Sequence, residues 1–461
     1  MLRLPLGQGC AYKDNMFQPA LITLSLSMLL SSLGTSIANV GLPTLAQAFD
    51  ASFQEVQWVV LAYLLAVTTL IVSVGRLGDL VGRRRLLLAG IALFTLATAL
   101  CGVAPTLGLL IAARAAQGLG AAVMMALTLA FVAETVPKAK TGSAMGLLGT
   151  MSAIGTALGP SLGGVLIAAL SWRAIFLVNV PLGVVALLLA RRYLPVDAPR
   201  PEAARPRFDN AGTLLLALAL GAYALAMTIG RGTFGPLNTA LLIAAALGGI
   251  AFVLVERRAP APLLRLDMFR DTALRAGLVM SALVSTVMMA TLVVGPFYLA
   301  GALDLDAARV GLVMSVGPLV VALTGVPAGR IADRFGAQRI TLAGLIAMAA
   351  GSFLLSITPA TLGIPGYLVP MIVLTAGYAL FQTANNTAVM ADIRPDQRGV
   401  TSGMLNLSRN LGLITGASAL GAVFAFAGMR TTFGVATMLV IVAFAIALGT
   451  RSRDVLSPRL P

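Results

Sequence analysis

The sequence predicts an all-α membrane protein with fourteen transmembrane helices, arranged as two six-helix bundles related by a pseudo-two-fold axis plus two extra helices between them. Of the 461 residues, 58% are hydrophobic and only 11% are charged, whereas a soluble domain carries about 25% charged residues. Fourteen apolar runs are each long enough to cross a bilayer, which takes roughly 20 residues. A charged segment also occurs twice, 254 residues apart, which indicates two related halves.

The apolar runs define the predicted organisation of the chain. After a tail of residues 1–18, the first bundle (residues 19–190) contains the runs 19–42, 54–75, 85–104, 107–133, 141–170 and 172–190. A linker of residues 191–275 contains two additional runs, 211–229 and 237–255. The second bundle (residues 276–450) contains the runs 276–300, 308–329, 337–358, 364–390, 399–427 and 432–450, and a tail of residues 451–461 follows.

The distribution of basic residues predicts the orientation in the membrane. The net charge is +15, and 26 of the 32 Lys and Arg residues lie in the tails and loops on the side of the amino terminus. The opposite side holds Arg173, Arg231, Arg309 and Arg430. By the positive-inside rule, both termini are expected in the cytoplasm, with the protein in a bacterial cytoplasmic membrane. A missed pair of helices would leave this bias unchanged, so the charge pattern allows either twelve or fourteen crossings.

Several classes of function are disfavoured by composition. The chain has no histidine, and Cys10 and Cys101 form no metal-like cluster. No stretch outside the apolar runs is long enough for a soluble catalytic domain. The basic charge lies between the apolar runs, so lipid topology explains it better than nucleic acid. We therefore expect that the protein is not an enzyme and that it binds no metal or cofactor. A monomer suffices for this architecture, with the bilayer and a small molecule as its partners.

The repeated segment reads G-R-x-x-D-x-x-G at residues 75–82 and again at residues 329–336. Each copy falls between two apolar runs, with further arginines beside it. A carboxylate there can cap a helix start and pair with arginine across a helix interface, which predicts a gate between two conformations. Ordinary cytoplasmic anchoring is the alternative. The candidate gating residues are Gly75, Asp79, Gly82, Arg83, Arg84, Arg330, Asp333 and Gly336.

Two arginines and one glycine-rich element lie within apolar runs. Arg114, followed by Gln117 and Gly118, is in the fourth run, and Arg409 is in the thirteenth. A membrane-embedded arginine is costly and predicts a coupling or cavity role, unless it only binds backbone carbonyls at a helix break. The fifth run contains Gly155, Gly159, Pro160, Gly163 and Gly164. Glycines four apart allow close helix contact and proline bends a helix, although a simple packed pair would show the same spacing.

Candidate substrate-binding residues are polar or aromatic groups within the runs: Asn39, Trp58, Tyr63, Met124, Gln382, Asn385 and Asn386. We expect fewer than half of them to touch a substrate, because most will pack against neighbouring helices. None of the seventeen acidic residues falls in the middle of a predicted run, although an intramembrane carboxylate is typical of proton-coupled pumps.

These motifs resemble those of the major facilitator superfamily, and in particular its fourteen-helix drug:proton antiporter branch. Residues 75–84 are similar to the family's loop after the second helix, residues 114–120 to its fourth-helix R-x-x-Q-G-x-G element, and residues 155–164 to its fifth-helix antiporter element. Residues 172–183 and 208–212 also resemble segments of that branch. The resemblance implies alternating access and efflux of small amphipathic molecules. It also implies the proton as a second partner, exchanged for the exported compound.

One position departs from the branch. Gly34 stands where the branch usually has an aspartate, ahead of a pattern that includes Asn39 and Pro43. Without that acid, a cation opposite Arg114 and Arg409 would be unfavourable, so a neutral or anionic substrate is expected. The leading prediction is an efflux transporter with proton antiport. The alternatives are an uncoupled facilitator and a membrane sensor that binds a ligand without transport.

Overall fold

Helices make up nearly all of the described chain. The computed structural model describes residues 8–71, 73–135, 141–195, 210–229, 235–259, 271–391 and 398–456, and no strand occurs in these ranges. The side chains of Arg76, Asp79 and Asp333 lie outside the described set. The all-α prediction is confirmed.

The first half is built from the helices up to residue 193, and α1 begins inside the tail that the sequence predicts for residues 1–18. A short helix, α2, follows α1 at the end of the bundle where the chain turns back into α3. The helices are α1 (Gln8–Val40), α2 (Leu42–Ala48), α3 (Phe53–Ile71), α4 (Val74–Val81), α5 (Arg83–Val103), α6 (Leu107–Thr135), α7 (Thr141–Ala169), α8 (Ala174–Leu177) and α9 (Asn179–Tyr193).

The two extra helices come next, and the second half follows them. The extra pair is α10 (Asn210–Thr228) and α11 (Pro236–Arg258). The second half comprises α12 (Thr272–Gly301), α13 (Ala307–Phe335), α14 (Ala337–Ile357), α15 (Gly363–Ala391), α16 (Arg398–Thr415), a π-helical turn (Gly416–Leu420) and α17 (Gly421–Leu456).

The last candidate span contains two crossings. By length and composition, thirteen segments of the described chain could cross a membrane, and the last, Gly403–Gly449, has 47 residues. One crossing needs roughly 20 residues. Within α17 the backbone leaves the helical conformation at Gly428, with φ 72° and ψ −173°. This break lies between the predicted runs 399–427 and 432–450, so the structure agrees with fourteen crossings.

The two halves repeat the same helix pairing. In the first half, α1 packs on α7, α3 and α5 pack on α6, and α9 packs on α1 and α5. In the second half, α12 packs on α16, α13 and α14 pack on α15, and α17 packs on α12 and α14. Each contact in one half therefore has a counterpart in the other, as the predicted pseudo-two-fold relation requires.

One glycine contact shows the repeat at the level of atoms. A Cβ added to Gly120 of α6 would lie 2.6 Å from the backbone N of Phe94 and 2.7 Å from the carbonyl O of Gly90. In the second half, a Cβ added to Gly377 would lie 2.7 Å from Gly344 O and 2.8 Å from the backbone N of residue 348. Gly90 and Gly344 are separated by the same 254 residues as the repeated segment. Glycine lets the two backbones touch at equivalent places.

The extra helix α10 is attached to the first half near both of its ends. Trp58 Nε1 of α3 donates a hydrogen bond of 3.0 Å to Thr228 Oγ1. The hydroxyls of Ser73 and Thr213 are 3.0 Å apart and share a hydrogen bond. Besides α3, α10 packs on the π-helical turn of the second half. The extra pair therefore lies beside the junction between α3 and the second half.

Candidate functional site

The repeated segment adopts the same backbone turn in both halves. Gly82, between α4 and α5, has φ 103° and ψ 129°, and Gly336, between α13 and α14, has φ 87° and ψ 137°. Each glycine ends a helix with a hydrogen bond to a carbonyl four residues earlier, at 3.0 Å and 2.9 Å respectively. Positive φ favours glycine because other residues meet a Cβ clash there. The sequence repeat is thus a repeat of conformation.

The charged residues of the first copy lie at a junction of helix ends. Arg83 and Arg84 are partly buried at the start of α5. Arg84 Nη2 donates to the carbonyl O of Arg191 at 2.5 Å, which connects α5 to the end of α9. In the second copy, Arg330 is exposed. The predicted pairing of Asp79 and Asp333 with arginine lies outside the described side chains and stays a prediction.

Arg114 is completely buried inside the first half, and all of its described partners are neutral. Its Nε donates to Val59 O at 2.8 Å, and its Nη1 donates to Gly34 O at 2.9 Å and to Gln117 Oε1 at 2.5 Å. Its Nη2 has no hydrogen-bond partner among the described residues. The guanidinium carbon lies 4.3 Å from the centre of the Tyr63 ring, within the range of a cation–π contact.

Tyr63, Gln117 and Gly118 lie around Arg114, and contacts between α1, α3, α5 and α6 hold them there. The Tyr63 hydroxyl donates to Ser31 O at 3.0 Å, so its ring is held over the guanidinium. Gln117 Nε2 donates to a threonine hydroxyl of α5 at 2.7 Å. A Cβ added to Gly118 would lie 2.5 Å from Tyr63 O, so only glycine allows α6 this close to α3. Tyr63 therefore belongs to the Arg114 site.

The glycines of α7 face two different partners. A Cβ on Gly155 would lie 2.6 Å from the carbonyl of Leu29, and one on Gly163 would lie 2.7 Å from Val40 Cγ1, both in α1. Gly159 lies against Ser36 of α1, whose hydroxyl donates to Gly155 O at 3.1 Å. Gly164 instead contacts the second half. Pro160 is inside α7, which continues as one helix through it.

An equivalent contact in the second half was missed by the sequence analysis. Gly412 of α16 lies against the backbone of Ala282 in α12, where an added Cβ would also be 2.8 Å from Ser285 Cβ. Gly416 lies against Thr286 O in the same way. The G-x-x-x-G spacing of residues 412–416 was the available signal. Both halves therefore hold their first and fifth helices together through small residues.

Arg409 lies beside a polar stripe on α15. Tyr378, Gln382 and Asn386 are four residues apart, so they share one face of the helix, and all three are partly exposed. Gln382 Nε2 donates to Asn386 Oδ1 at 3.3 Å. Arg409, also partly exposed, is close enough to Tyr378 to interact with it electrostatically. Tyr378 is a member of this stripe that the sequence analysis did not select.

The remaining predicted substrate residues are engaged in packing. Asn385 is buried and donates to Gly277 O at 3.2 Å, and Asn39 and Met124 are buried as well. Trp58 is partly buried and bonded to α10. One acid was placed outside the apolar runs by the sequence analysis but is buried: Glu256, in the last turn of α11, is only 2% exposed.

The family is shown by comparison with known proteins. Residues 24–417 match the Major Facilitator Superfamily. The chain is 32% identical over 432 residues to the uncharacterized transporter YebQ of Escherichia coli (strain K12), covering 93% of this chain and 94% of YebQ. It is 31% identical to the riboflavin transporter RibZ of Clostridioides difficile (strain 630), covering 88% of each. It is 34% identical to the multidrug resistance protein Stp of Mycobacterium tuberculosis, covering 88% of this chain and 75% of Stp.

Solved structures share the fold at low sequence identity. The xylose transporter XylE from E. coli superimposes with a TM-score of 0.67 at 13% identity, covering 94% of this chain and 98% of XylE. The nucleoside transporter NupG superimposes with a TM-score of 0.68 at 14% identity, covering 93% of this chain and 99% of NupG. The duplicated helix pairing, the family match and the relatives agree: this chain is a membrane transporter of the major facilitator superfamily.

Proposed function

We propose that this chain is a secondary active transporter of the fourteen-helix antiporter branch, which exports small amphipathic compounds by alternating access. The observation that carries the proposal is the repeated helix pairing, because two lobes of equal construction can rock about a site between them. The similarity to Stp, a multidrug resistance protein, supports export of drug-like compounds. We also propose that the protein acts as a monomer.

The substrate is neutral or anionic in this proposal. Arg114 and Arg409 place two positive charges within the spans, and the stripe around Arg409 offers amide and hydroxyl groups. Among the acids whose side chains the structure describes, Glu256 alone is buried, and it lies in the extra helix pair. A cationic substrate near these arginines would meet repulsion in a medium of low dielectric constant, where charges interact strongly.

Export assays on an Arg409 variant test this charge preference. A growth-inhibition panel of neutral, anionic and cationic toxins identifies the compounds against which the expressed chain protects. Arg409→Ala is expected to reduce export of the anionic compounds more than that of the neutral ones. Arg309→Ala is the matched control, because Arg309 is exposed in the first turn of α13 and pairs with Asp306 at 3.3 Å. Full export of anions by Arg409→Ala would refute the preference.

The orientation and the gate are part of the same proposal. The 26-to-4 bias of basic residues supports a bacterial cytoplasmic membrane with both termini in the cytoplasm, which reporter fusions at each terminus test. The matched turns at Gly82 and Gly336 support a gating role for the two repeated segments. Asp79→Asn is expected to slow transport with little loss of folded protein. Unchanged transport in vesicles would argue against the gate.

Proton antiport is proposed as the energy source, supported by the resemblance to the antiporter branch. Uncoupled facilitation is the second candidate, and the neutral partners of Arg114 favour it: the Gly34 carbonyl and the Gln117 amide occupy positions beside the guanidinium, and neither titrates. Flux in vesicles with and without an imposed pH gradient separates the two. Accumulation against a concentration gradient only when the pH gradient is present supports antiport, whereas equal flux supports facilitation.

A further inference from the structure

The two halves meet at two seams near one end of the bundle, the end at which α2 lies. We call it the α2 end. At the first seam, Gly164 of α7 lies against the carbonyl of Ala307 and against Gly311 of α13. The carbonyl of Pro160 also lies against Gly311. These backbones touch with no side chain between them, so this seam is tightly closed.

The second seam is closed by three aromatic rings. Phe53, at the start of α3, has its ring centre 4.6 Å from that of Phe297 in α12, with an edge-on angle of 75°. Its ring centre is also 5.2 Å from that of Phe424 in α17. Phe53 comes from the first half and both partners come from the second. Such ring pairs favour contact beyond the area they bury, so this Phe53 cluster holds the halves together.

Gln57 lies one turn further along α3, on the same face as Phe53, and opposes closure. It is 1% exposed, and neither its Oε1 nor its Nε2 has a hydrogen-bond partner among the described residues. Its amide lies directly against Gly421 of α17, where an added side chain would collide with it. Gly421 follows the π-helical turn Gly416–Leu420, and such turns are frequent at functional sites. Closing this seam therefore buries an amide without giving it a partner.

We propose that Phe53 and Gln57 form a two-part gate at the α2 end, in which the Phe53 cluster favours the closed seam and the Gln57 amide favours reopening. This rests on the proposed alternating access. When the halves separate at this end, water can bind the Gln57 amide, and closure removes that water. An amide buried without a partner is costly, while an apolar contact alone would hold the seam shut. The opposing residues keep the open and closed states close in free energy, as repeated cycling requires.

Distances between spin labels test the gate. Labels at Ser171→Cys and Ala302→Cys, exposed positions in the two halves at the α2 end, report opening in the full chain without substrate. The native Cys10 and Cys101 are replaced by serine and alanine. Phe53→Ala is expected to increase the population with long distances.

The decisive variant adds Gln57→Leu to Phe53→Ala. Removing the amide removes the cost of burying it unpaired, which is expected to raise the closed-to-open ratio about 5- to 150-fold and so to restore short distances. Gln54→Leu in the same background is the matched control, because the Gln54 amide is on the same helix but is not among the buried amides that lack a partner. Gln57→Met replaces Gln57→Leu if that variant does not fold.

The proposal requires both changes in distance: longer distances in Phe53→Ala, and a return to short distances when Gln57→Leu is added. The proposal is overturned if Phe53→Ala leaves the distances unchanged, or if Gln57→Leu moves them no more than Gln54→Leu does. Because the distances are measured without substrate, the gate and the proposed function can fail separately. Shifted distances together with no export of any compound would retain the gate and reject the efflux function.

Discussion

Replacing Gly159 by alanine is expected to separate α7 from α1. The added Cβ would overlap the Ser36 hydroxyl and lie 2.7 Å from Ser36 Cβ and 2.9 Å from the backbone N of Ile37. The Ser36 side chain can rotate, at the loss of its hydrogen bond to Gly155 O, but the Ile37 backbone can move only with its helix. Overpacking of this kind costs about 1–3 kcal/mol.

Gly149→Ala is the matched control for this prediction. Gly149 is on the same helix, and nothing lies within 4 Å of a Cβ added there. Both variants gain the helix propensity of alanine over glycine, about 1 kcal/mol. The difference between their free energies of unfolding is therefore the overpacking alone, about 1–3 kcal/mol.

Thermal unfolding in detergent micelles, followed by the fraction that remains monodisperse, measures this difference. We expect a lower Tm for Gly159→Ala than for Gly149→Ala, and slower transport if α1 and α7 must move as one unit. Equal melting temperatures would show that α7 does not rest on α1 through Gly159, and the packing argument would be rejected.

Three further variants test separate parts of the structure. Gly336→Ala has room for its Cβ but requires φ 87°, so it is expected to lower stability by about 1–2 kcal/mol. The control is Gly325→Ala in the preceding helix α13, which also has room and requires no positive φ, and equal melting temperatures would contradict this reasoning. Trp58→Phe removes the hydrogen bond to Thr228 at the end of α10, worth about 0.5–1.5 kcal/mol. Protease should therefore cleave the connection between α10 and α11 faster, and unchanged cleavage would argue against the attachment. Arg114→Lys keeps the charge but loses the guanidinium geometry, so Tm should fall by an amount that corresponds to about 1.5–3 kcal/mol of stability. A wild-type Tm would show that the hydrogen bonds of Arg114 add little to the stability of the fold.

The sequence predicted the membrane helices well because each span is a local property. Apolar length alone identifies a crossing, and the runs correspond to helices throughout the described chain. Helix ends were less accurate: α1 extends into the predicted tail, and Glu256 lies within α11. A hydropathy window cannot distinguish a polar residue that continues a helix from one that ends it.

Residue roles were harder to predict, because a polar residue within a span can face a neighbour or a cavity. Tyr63 and Asn385 were selected as candidate substrate residues; the structure places Tyr63 over the Arg114 guanidinium and gives Asn385 a hydrogen bond to α12. Their contact with a substrate stays a prediction. Tyr378 was not selected, although its spacing from Gln382 places both on one face of α15. A single run shows which face a residue shares but not what that face contacts.

The sequence by itself determined that this protein lies in a lipid bilayer, that it crosses the bilayer twelve or fourteen times and that it is duplicated, since apolar length, charge bias and a repeated segment can be read along the chain. The backbone break at Gly428 decided for fourteen crossings. The tertiary structure alone decided which groups meet: the neutral partners of Arg114, the Gly412 contact with α12, and the closure of Phe53 and Gln57 against the second half. These contacts join residues that are far apart in the chain. Their energies depend on which helix faces are buried against each other, and that is settled only when the two halves are packed.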